Sequence, residues 1–173
     1  ILFFFFAIGG FWTYIAPIGL AAGLSEAETG RAISLGLFGG LAGSFVATHL
    51  NIRIGRLLPI LFAVGTQFIA LAILYSGFDF TVFMLGAGLF MFGWYMFFPY
   101  QLGLLAALDR DGRPMILANA VAGIGSGFGP LILAFFLLDG YLPAYIFSGG
   151  FLFLALSLTT ILVFISKRDL KTE

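Results

Sequence analysis

Six long apolar runs alternate with short polar breaks along this chain. In a bilayer, each backbone polar group must be satisfied within its own segment, so apolar runs of roughly 20 residues predict transmembrane helices. The runs predict helices over residues 1–22, 26–49, 57–76, 81–108, 114–138 and 143–165, with a polar tail over 166–173. The predicted fold class is therefore an all-α membrane protein with one six-helix bundle.

Local signals support these boundaries. Ser25, with Glu28 three residues later, has the form of a capping box that opens the second helix. Pro114 and Pro143 follow polar breaks, where proline is favoured in the first helical turn. The helix starts are thus marked by residue types as well as by hydropathy.

Charge is scarce, and its placement gives an orientation. Only 9% of the residues are charged, against about 25% in an ordinary soluble domain. All eight basic and all eight acidic residues fall in breaks, in the tail or near helix ends. Seven of the eight basic residues fall on one side of the predicted bundle: Arg53, Arg56, Arg110, Arg113, Lys167, Arg168 and Lys171. The positive-inside rule then predicts that both termini are cytoplasmic, in a multi-pass protein of the cell membrane.

The composition also argues against several functions. A net charge of zero offers no basic patch, so no nucleic-acid partner is expected. The absence of cysteine removes thiolate catalysis and thiolate metal sites, and no histidine cluster or carboxylate pair replaces them. Ser126 lies mid-span whereas His49 lies at a helix end, which disfavours a serine protease. We therefore expect no enzyme activity, no cofactor and no metal.

Sliding the chain against itself by 82 positions reveals a weak internal repeat. It pairs the two tryptophans of the chain, Trp12 and Trp94, and also Pro17 with Pro99. The remaining identical pairs are Leu20 with Leu102, Gly30-Arg31 with Gly112-Arg113, Leu35 with Leu117, and Gly43-Ser44 with Gly125-Ser126. Copies three helices apart insert with opposite orientation, so the pairing predicts two inverted three-helix repeats, as in many secondary transporters.

Several segments resemble the carboxy-terminal six-helix half of a major facilitator superfamily transporter, of the kind found in bacterial sugar and drug efflux permeases. The segments that carry the resemblance are 10–17, 23–25, 53–56, 93–113 and 125–130. The resemblance implies transport by alternating access in a bacterial inner membrane. It also implies that the helices at 1–22, 26–49, 81–108 and 114–138 line a central cavity.

Two departures from the family pattern matter. The signature loop between second and third helices has Thr48 and Ile52 where the family has Gly and Asp, which argues against an Asp-centred charge relay at Arg53 and Arg56. A complete family member has twelve helices. The resemblance therefore implies that a missing amino-terminal half, or a second copy, is the partner of this chain in the lipid bilayer.

The predicted solute site combines aromatic and amide side chains near mid-membrane. Its members are Trp12, Tyr14, Trp94, Tyr95, Gln101 and Asn119. Such side chains suit an uncharged or aromatic small-molecule solute, by stacking and a few hydrogen bonds. The alternative is that they pack helix against helix and bond to backbone carbonyls. Arg53, Arg56, Arg110 and Arg113 are predicted gating residues of the cytoplasmic loops, and Pro17, Pro99 and Pro130 are predicted helix kinks.

The second predicted helix also carries small residues at every fourth position. Gly36, Gly40 and Ser44 recur in this way, a spacing that lets membrane helices approach closely. No carboxylate or lysine lies at mid-membrane, so this segment offers no obvious proton carrier. The predicted function is efflux-type transport of a small organic solute. The alternatives are a channel-like or structural membrane subunit and, less favoured, an intramembrane enzyme.

Overall fold

The computed structural model describes residues 1–76, 79–108, 112–137 and 140–169, and within these ranges all regular structure is helical. Seven helices occur there: α1 Leu2–Thr13, α2 Ile15–Ala21, α3 Glu26–Leu50, α4 Leu57–Ser76, α5 Phe80–Leu108, α6 Arg113–Ala134 and α7 Leu142–Asp169. Helices α3 to α7 are each long and apolar enough to cross a membrane, and α1 with α2 passes the same test as one bent span. The predicted all-helical fold class is confirmed for the described residues, with five to six spans long and apolar enough to cross a membrane.

The first span is interrupted at Tyr14, whereas the sequence predicts one continuous helix over residues 1–22. Tyr14 has φ −100° and ψ 6°, and α1 and α2 meet at a 42° bend. Pro17 has no amide hydrogen for the Thr13 carbonyl, and its ring crowds that carbonyl. The Tyr14 amide bonds instead to the Phe11 carbonyl at 3.1 Å, which tightens the last turn of α1. The predicted single helix is therefore wrong: the proline divides it into α1 and α2.

Two other helix ends differ from the prediction. Helix α6 ends at Ala134 rather than at residue 138, because the amides of Phe135 and Phe136 bond three residues back and close the helix in a tight turn. Residue 138 itself lies outside the described ranges. Helix α7 continues to Asp169, so the first part of the predicted tail is helical, and residues 170–173 are not described.

The other two predicted kink residues lie inside unbroken helices. Helix α5 runs through Pro99, and α6 runs through Pro130. Of the three predicted kink residues, Pro17 alone lies near a helix break. Bending of α5 at Pro99 and of α6 at Pro130 stays a prediction.

The helices associate as two groups of three. Helix α5 packs closely against α3 and α4, whereas α1 packs closely against α6 and α7. A smaller contact joins α4 to α7, and the short α2 touches α3. Each group therefore has one central helix. The group of α3, α4 and α5 is consecutive in the sequence, whereas α1 packs with two helices from the far end of the chain.

Aromatic rings fill the space between the two central helices, and we call this layer the aromatic seam. Phe4 and Phe97 lie with ring centroids 4.4 Å apart, and Phe11 and Phe90 lie 5.1 Å apart. Low residue numbers in α1 thus meet high numbers in α5, so the two helices run antiparallel. Further ring contacts in the seam join Phe5 to Trp94, Phe5 to Phe98, and Trp12 to Phe90.

Candidate functional site

A row of glycines on α3 lets α5 approach at backbone distance. Gly36, Gly40 and Gly43 are buried, and Gly39 lies directly against the backbone of Gly88 on α5. A methyl group added to Gly39 would collide with the Gly88 carbonyl oxygen. Close backbone approach of this kind is how small residues pack membrane helices. The row therefore fixes α3 and α5 as a tightly packed, parallel pair.

Tyr95 of α5 lies over this glycine row. A Cβ atom at Gly40 would stand only 2.9 Å from a ring carbon of Tyr95, so the absence of a side chain at Gly40 makes room for the ring. Tyr95 remains 45% exposed, which leaves one side of its ring open. The pair thus forms an aromatic platform on the outside of the α3–α5 contact.

The Tyr95 platform is the wall of an open groove of about 410 Å³. The groove is lined by Ser34, Leu37, Phe38, Gly40, Leu41, Ser44 and Tyr95. This volume falls within the range of about 300–1,000 Å³ typical of small-molecule sites. The Ser34 hydroxyl donates to the Gly30 carbonyl at 2.8 Å, so its oxygen is oriented as an acceptor. We call this site the Tyr95 groove: it is mostly apolar, with two aromatic side chains and two serine hydroxyls.

Gln101 faces a different cavity. That cavity has a volume of about 270 Å³ and lies between the first residues of α1 and parts of α5, α6 and α7. Gln101 is 5% exposed, and its Nε2 donates to Thr159 Oγ1 of α7 at 3.3 Å. Its Oε1 has no hydrogen-bond partner among the described residues. The amide therefore presents one free acceptor in a surrounding of leucine, valine and alanine side chains.

The two tryptophans and Tyr14 serve contacts between helices. Trp12 stacks on Phe90 with the ring planes 6° apart, and Trp94 packs edge-on against Phe5 in the aromatic seam. The Tyr14 hydroxyl donates to the Pro130 carbonyl of α6 at 3.2 Å, which fastens the break in the first span to α6. In the chain as it stands, these three side chains match the packing alternative.

Comparison of the chain with protein-family models, with curated proteins and with solved structures finds no match.

The predicted solute group is thus divided among separate places. Tyr95 lies in the groove on α3, Gln101 lies in the second cavity, and Asn119 is exposed on α6. Sequence reasoning assigned no site role to Ser34, Ser44 or Thr159. The four-residue spacing of Gly36, Gly40 and Ser44 was a usable signal, since it places all three on one helix face. Nothing in the sequence shows that Tyr95 of another helix covers that face.

The predicted gating residues lie at one end of the bundle where they are described. Arg53 and Arg56 belong to the loop between α3 and α4, and Arg113 is the first residue of α6. Arg53 and Arg113 are exposed, whereas Arg56 is half-buried. Arg110 lies outside the described ranges.

Proposed function

We propose that this chain is one six-helix half of a secondary transporter of the major facilitator type, which moves a small, largely neutral organic solute by alternating access. In this proposal both termini are cytoplasmic, the membrane is a bacterial inner membrane, and transport is of the efflux type. The observation that carries the proposal is a reciprocal packing pattern. A helix from the second half of the chain packs on two helices of the first half, and a helix from the first half packs on two helices of the second.

The exchange is seen when the spans are numbered one to six, with α1 and α2 as span one. Span four packs on spans two and three, and span one packs on spans five and six. Replacing each span by the one three places away turns the first set of contacts into the second. Inverted three-helix repeats are expected to give this reciprocal pairing, so the contacts support the repeat predicted at an offset of 82.

The glycine contacts add a register to this argument. On α3, Gly39 meets Gly88 and Gly43 meets Phe92 of α5. On α6, Gly125 meets Phe5 of α1, and Gly129 meets both Phe6 and Gly10. At the offset of 82, Phe92 corresponds to Gly10, so these contacts relate Gly43 to Gly129. The sequence repeat pairs Gly43 with Gly125, which lies about one helical turn earlier. In the proposed repeat, the central helices would be aligned at the sequence offset of 82, with α6 displaced by one turn.

The site chemistry supports a neutral solute. The Tyr95 groove offers a ring face and hydroxyl oxygens but contains no charged side chain. A charged solute that moved from water into this groove would find no opposite charge there, at a cost of several kcal/mol. The broken first span also matches the discontinuous helices that line solute sites in transporters.

Cysteine accessibility tests the proposal without knowledge of the solute. The chain has no cysteine, so a single replacement gives an unambiguous label. Ser34→Cys and Ser44→Cys place a thiol in the Tyr95 groove, and Ile69→Cys on α4 is the control, since Ile69 is exposed but outside the groove. We expect a membrane-impermeant maleimide to label the groove thiols from either side of the membrane but not the Ile69→Cys thiol.

The result separates the competing functions. Alternating access predicts that a transported solute raises labelling from one side and lowers it from the other. A water-filled channel predicts labelling from both sides with no reciprocal change. Absence of labelling at both serines would indicate a lipid-covered face and would remove the transporter proposal in favour of a structural subunit.

A transport assay then identifies the solute-binding cavity. The intact protein is reconstituted in liposomes and screened for flux of sugars, amino acids and amphipathic drugs. We expect Tyr95→Ala to lower the flux of the active solute by about tenfold, in line with loss of an aromatic stacking contact. Tyr75→Ala, at an exposed tyrosine on α4 outside the groove, should have no effect. A larger loss in Gln101→Ala than in Tyr95→Ala would move the solute site to the second cavity.

A further inference from the structure

A small polar cavity lies where the loop after α3 meets the second half of α5. It has a volume of about 120 Å³ and is lined by Ala47, Asn51, Ile52, Arg56, Pro99, Tyr100 and Gly103. This volume equals roughly four water molecules in the liquid. The cavity therefore admits a compact group such as a tetrahedral oxyanion but excludes a solute large enough to fill the Tyr95 groove.

Two residues of α5 with little or no side chain leave space on that side of the cavity. Pro99 has a compact ring that is exposed, and Gly103 has no side chain. A Cβ atom at Gly103 would have no heavy atom within 4 Å, so the space beside it is open. A first side-chain atom at position 103 would therefore meet no neighbouring atom, and we expect a longer side chain there to occupy space in the cavity.

The loop that forms the opposite wall is held in an unusual conformation. Asn51 has φ 47° and ψ −132°, and it is the one residue other than glycine that has a positive φ in the described ranges. Side chains disfavour this region, at a cost of order 1–3 kcal/mol. The Tyr100 hydroxyl donates to the Asn51 carbonyl at 2.9 Å and so anchors the loop to α5. The cavity is thus held in shape before any ligand enters.

Arg56 brings a positive charge to the cavity, and no described carboxylate compensates it. The acidic side chains that the structure describes are Glu26, Glu28 and Asp79, which precede or begin α3 and α5. Helices α3 and α5 run parallel, so these carboxylates lie at the opposite end of the bundle from Arg56. A half-buried guanidinium favours a bound anion, and its planar fork suits the oxygens of a phosphate group.

We propose that this cavity binds a phosphate group, with the Arg56 guanidinium as the charged donor and the Asn51 side-chain amide as a neutral one. Two sources carry this chemistry: the phosphodiester of an anionic phospholipid in the adjacent leaflet, and a soluble phosphate. Basic pockets between membrane helices are known to hold lipid head groups. The site is distinct from the Tyr95 groove and does not depend on the transport proposal.

The test measures ligand binding by the purified intact protein in detergent, from the shift of its thermal unfolding temperature. The probes are phosphatidylglycerol, a galactosyl diacylglycerol of the same chain length that lacks phosphate, and inorganic phosphate. The variants are Arg56→Gln, which removes the charge, and Gly103→Leu, which fills the cavity but keeps the charge. Arg53→Gln is the matched control, because Arg53 lies in the same loop but does not line the cavity.

We expect phosphatidylglycerol to stabilise the protein and the phosphate-free lipid not to do so. Arg56→Gln and Gly103→Leu should each weaken this binding about tenfold, the size of one charge-assisted hydrogen bond. Arg53→Gln should change it less than about twofold, as expected for a screened surface charge. Competition by millimolar inorganic phosphate would assign the site to a soluble phosphate, whereas its failure would assign it to the lipid.

Three results would overturn the proposal. Equal losses in Arg53→Gln and Arg56→Gln would indicate general attraction to an anionic surface. Full binding in Gly103→Leu would place the ligand outside the cavity. Equal stabilisation by the phosphate-free lipid would show that the phosphate group is not recognised.

Discussion

The molecule contains two kinds of helix interface that differ in what fills them. Within the groups, the pairs α3–α5 and α1–α6 meet backbone to backbone: Gly39 touches Gly88, and a Cβ atom at Gly129 would stand 2.8 Å from the Phe6 carbonyl oxygen. Between the groups, the central helices α1 and α5 meet through rings, as in the contact of Phe4 with Phe97. The glycine contacts have almost no side chain between the helices, whereas the contact of α1 with α5 consists of large side chains.

The two kinds of interface should respond differently to amino-acid substitution. Close backbone contact has no flexible part, so an added methyl group must separate the helices. Rings in a seam have two rotatable bonds each and pack in several tilted arrangements, so the seam tolerates exchange of one apolar side chain for another. We therefore expect each group of three to move as a unit, with any internal rearrangement taking place along the aromatic seam.

The largest expected effect comes from the smallest substitution. Gly39→Ala adds one methyl group against the Gly88 backbone, which no side-chain rotation relieves. We expect a loss of about 3 kcal/mol in the free energy of unfolding, at the upper end of overpacking costs. Gly123→Ala is the control, since a Cβ there meets nothing within 4 Å and should stabilise the helix slightly. Thermal unfolding in detergent measures both, and equal stability of the two variants would contradict the backbone-contact interpretation.

A larger change in the seam should cost less. Phe97 is fully buried against Phe4, and Phe97→Leu replaces the ring by another apolar side chain. We expect a loss of about 1 kcal/mol, from the ring pair and a partly refilled cavity. The same unfolding assay checks it. If Phe97→Leu destabilised the protein more than Gly39→Ala, the seam would be the rigid interface and the comparison would be reversed.

The smallest effect concerns single hydrogen bonds inside and between the groups. The Tyr14 hydroxyl bonds to Pro130 within one group, and the Tyr145 hydroxyl bonds to the Leu74 carbonyl at 3.1 Å across the two groups. Removing either hydroxyl by Tyr→Phe should cost about 0.6 kcal/mol, the average for such bonds in membranes. Tyr145→Phe, but not Tyr14→Phe, should also speed amide hydrogen exchange along the contact of α4 with α7. Identical exchange in both variants would show that the groups are not separate units.

Parts of the fold were predictable from local chemistry. The Ser25–Glu28 capping box opens α3 as predicted, with the Ser25 side chain accepting from the Glu28 amide and the Glu28 carboxylate accepting from Ser25. The interruption at Tyr14 was not predicted, although Pro17 was recognised as a kink. The sequence shows that a proline is present. It does not show at which residue the helix breaks, because that depends on the partners available to the carbonyls that the proline leaves unpaired.

The candidate site was less predictable than the spans. Trp94 and Gln101 are seven residues apart, a spacing that places them on one face of α5, yet Trp94 packs edge-on against Phe5 and Gln101 lines a cavity with Thr159. In a soluble helix, an apolar stripe marks the inner face. Here both the lipid-facing and the protein-facing sides are apolar, so no stripe reveals which side is buried.

The amino-acid sequence alone indicated a lipid environment, up to six spans and the helix starts. These features follow from the cost of placing charge and unpaired backbone groups in hydrocarbon, and each segment meets that cost alone. Only the packing of the helices decided which three helices form each group, that Tyr95 covers the α3 glycines, and that Arg56 borders a small cavity. Those outcomes depend on the shapes of pairs of helices, since lipid provides no hydrophobic gradient to favour one face over another.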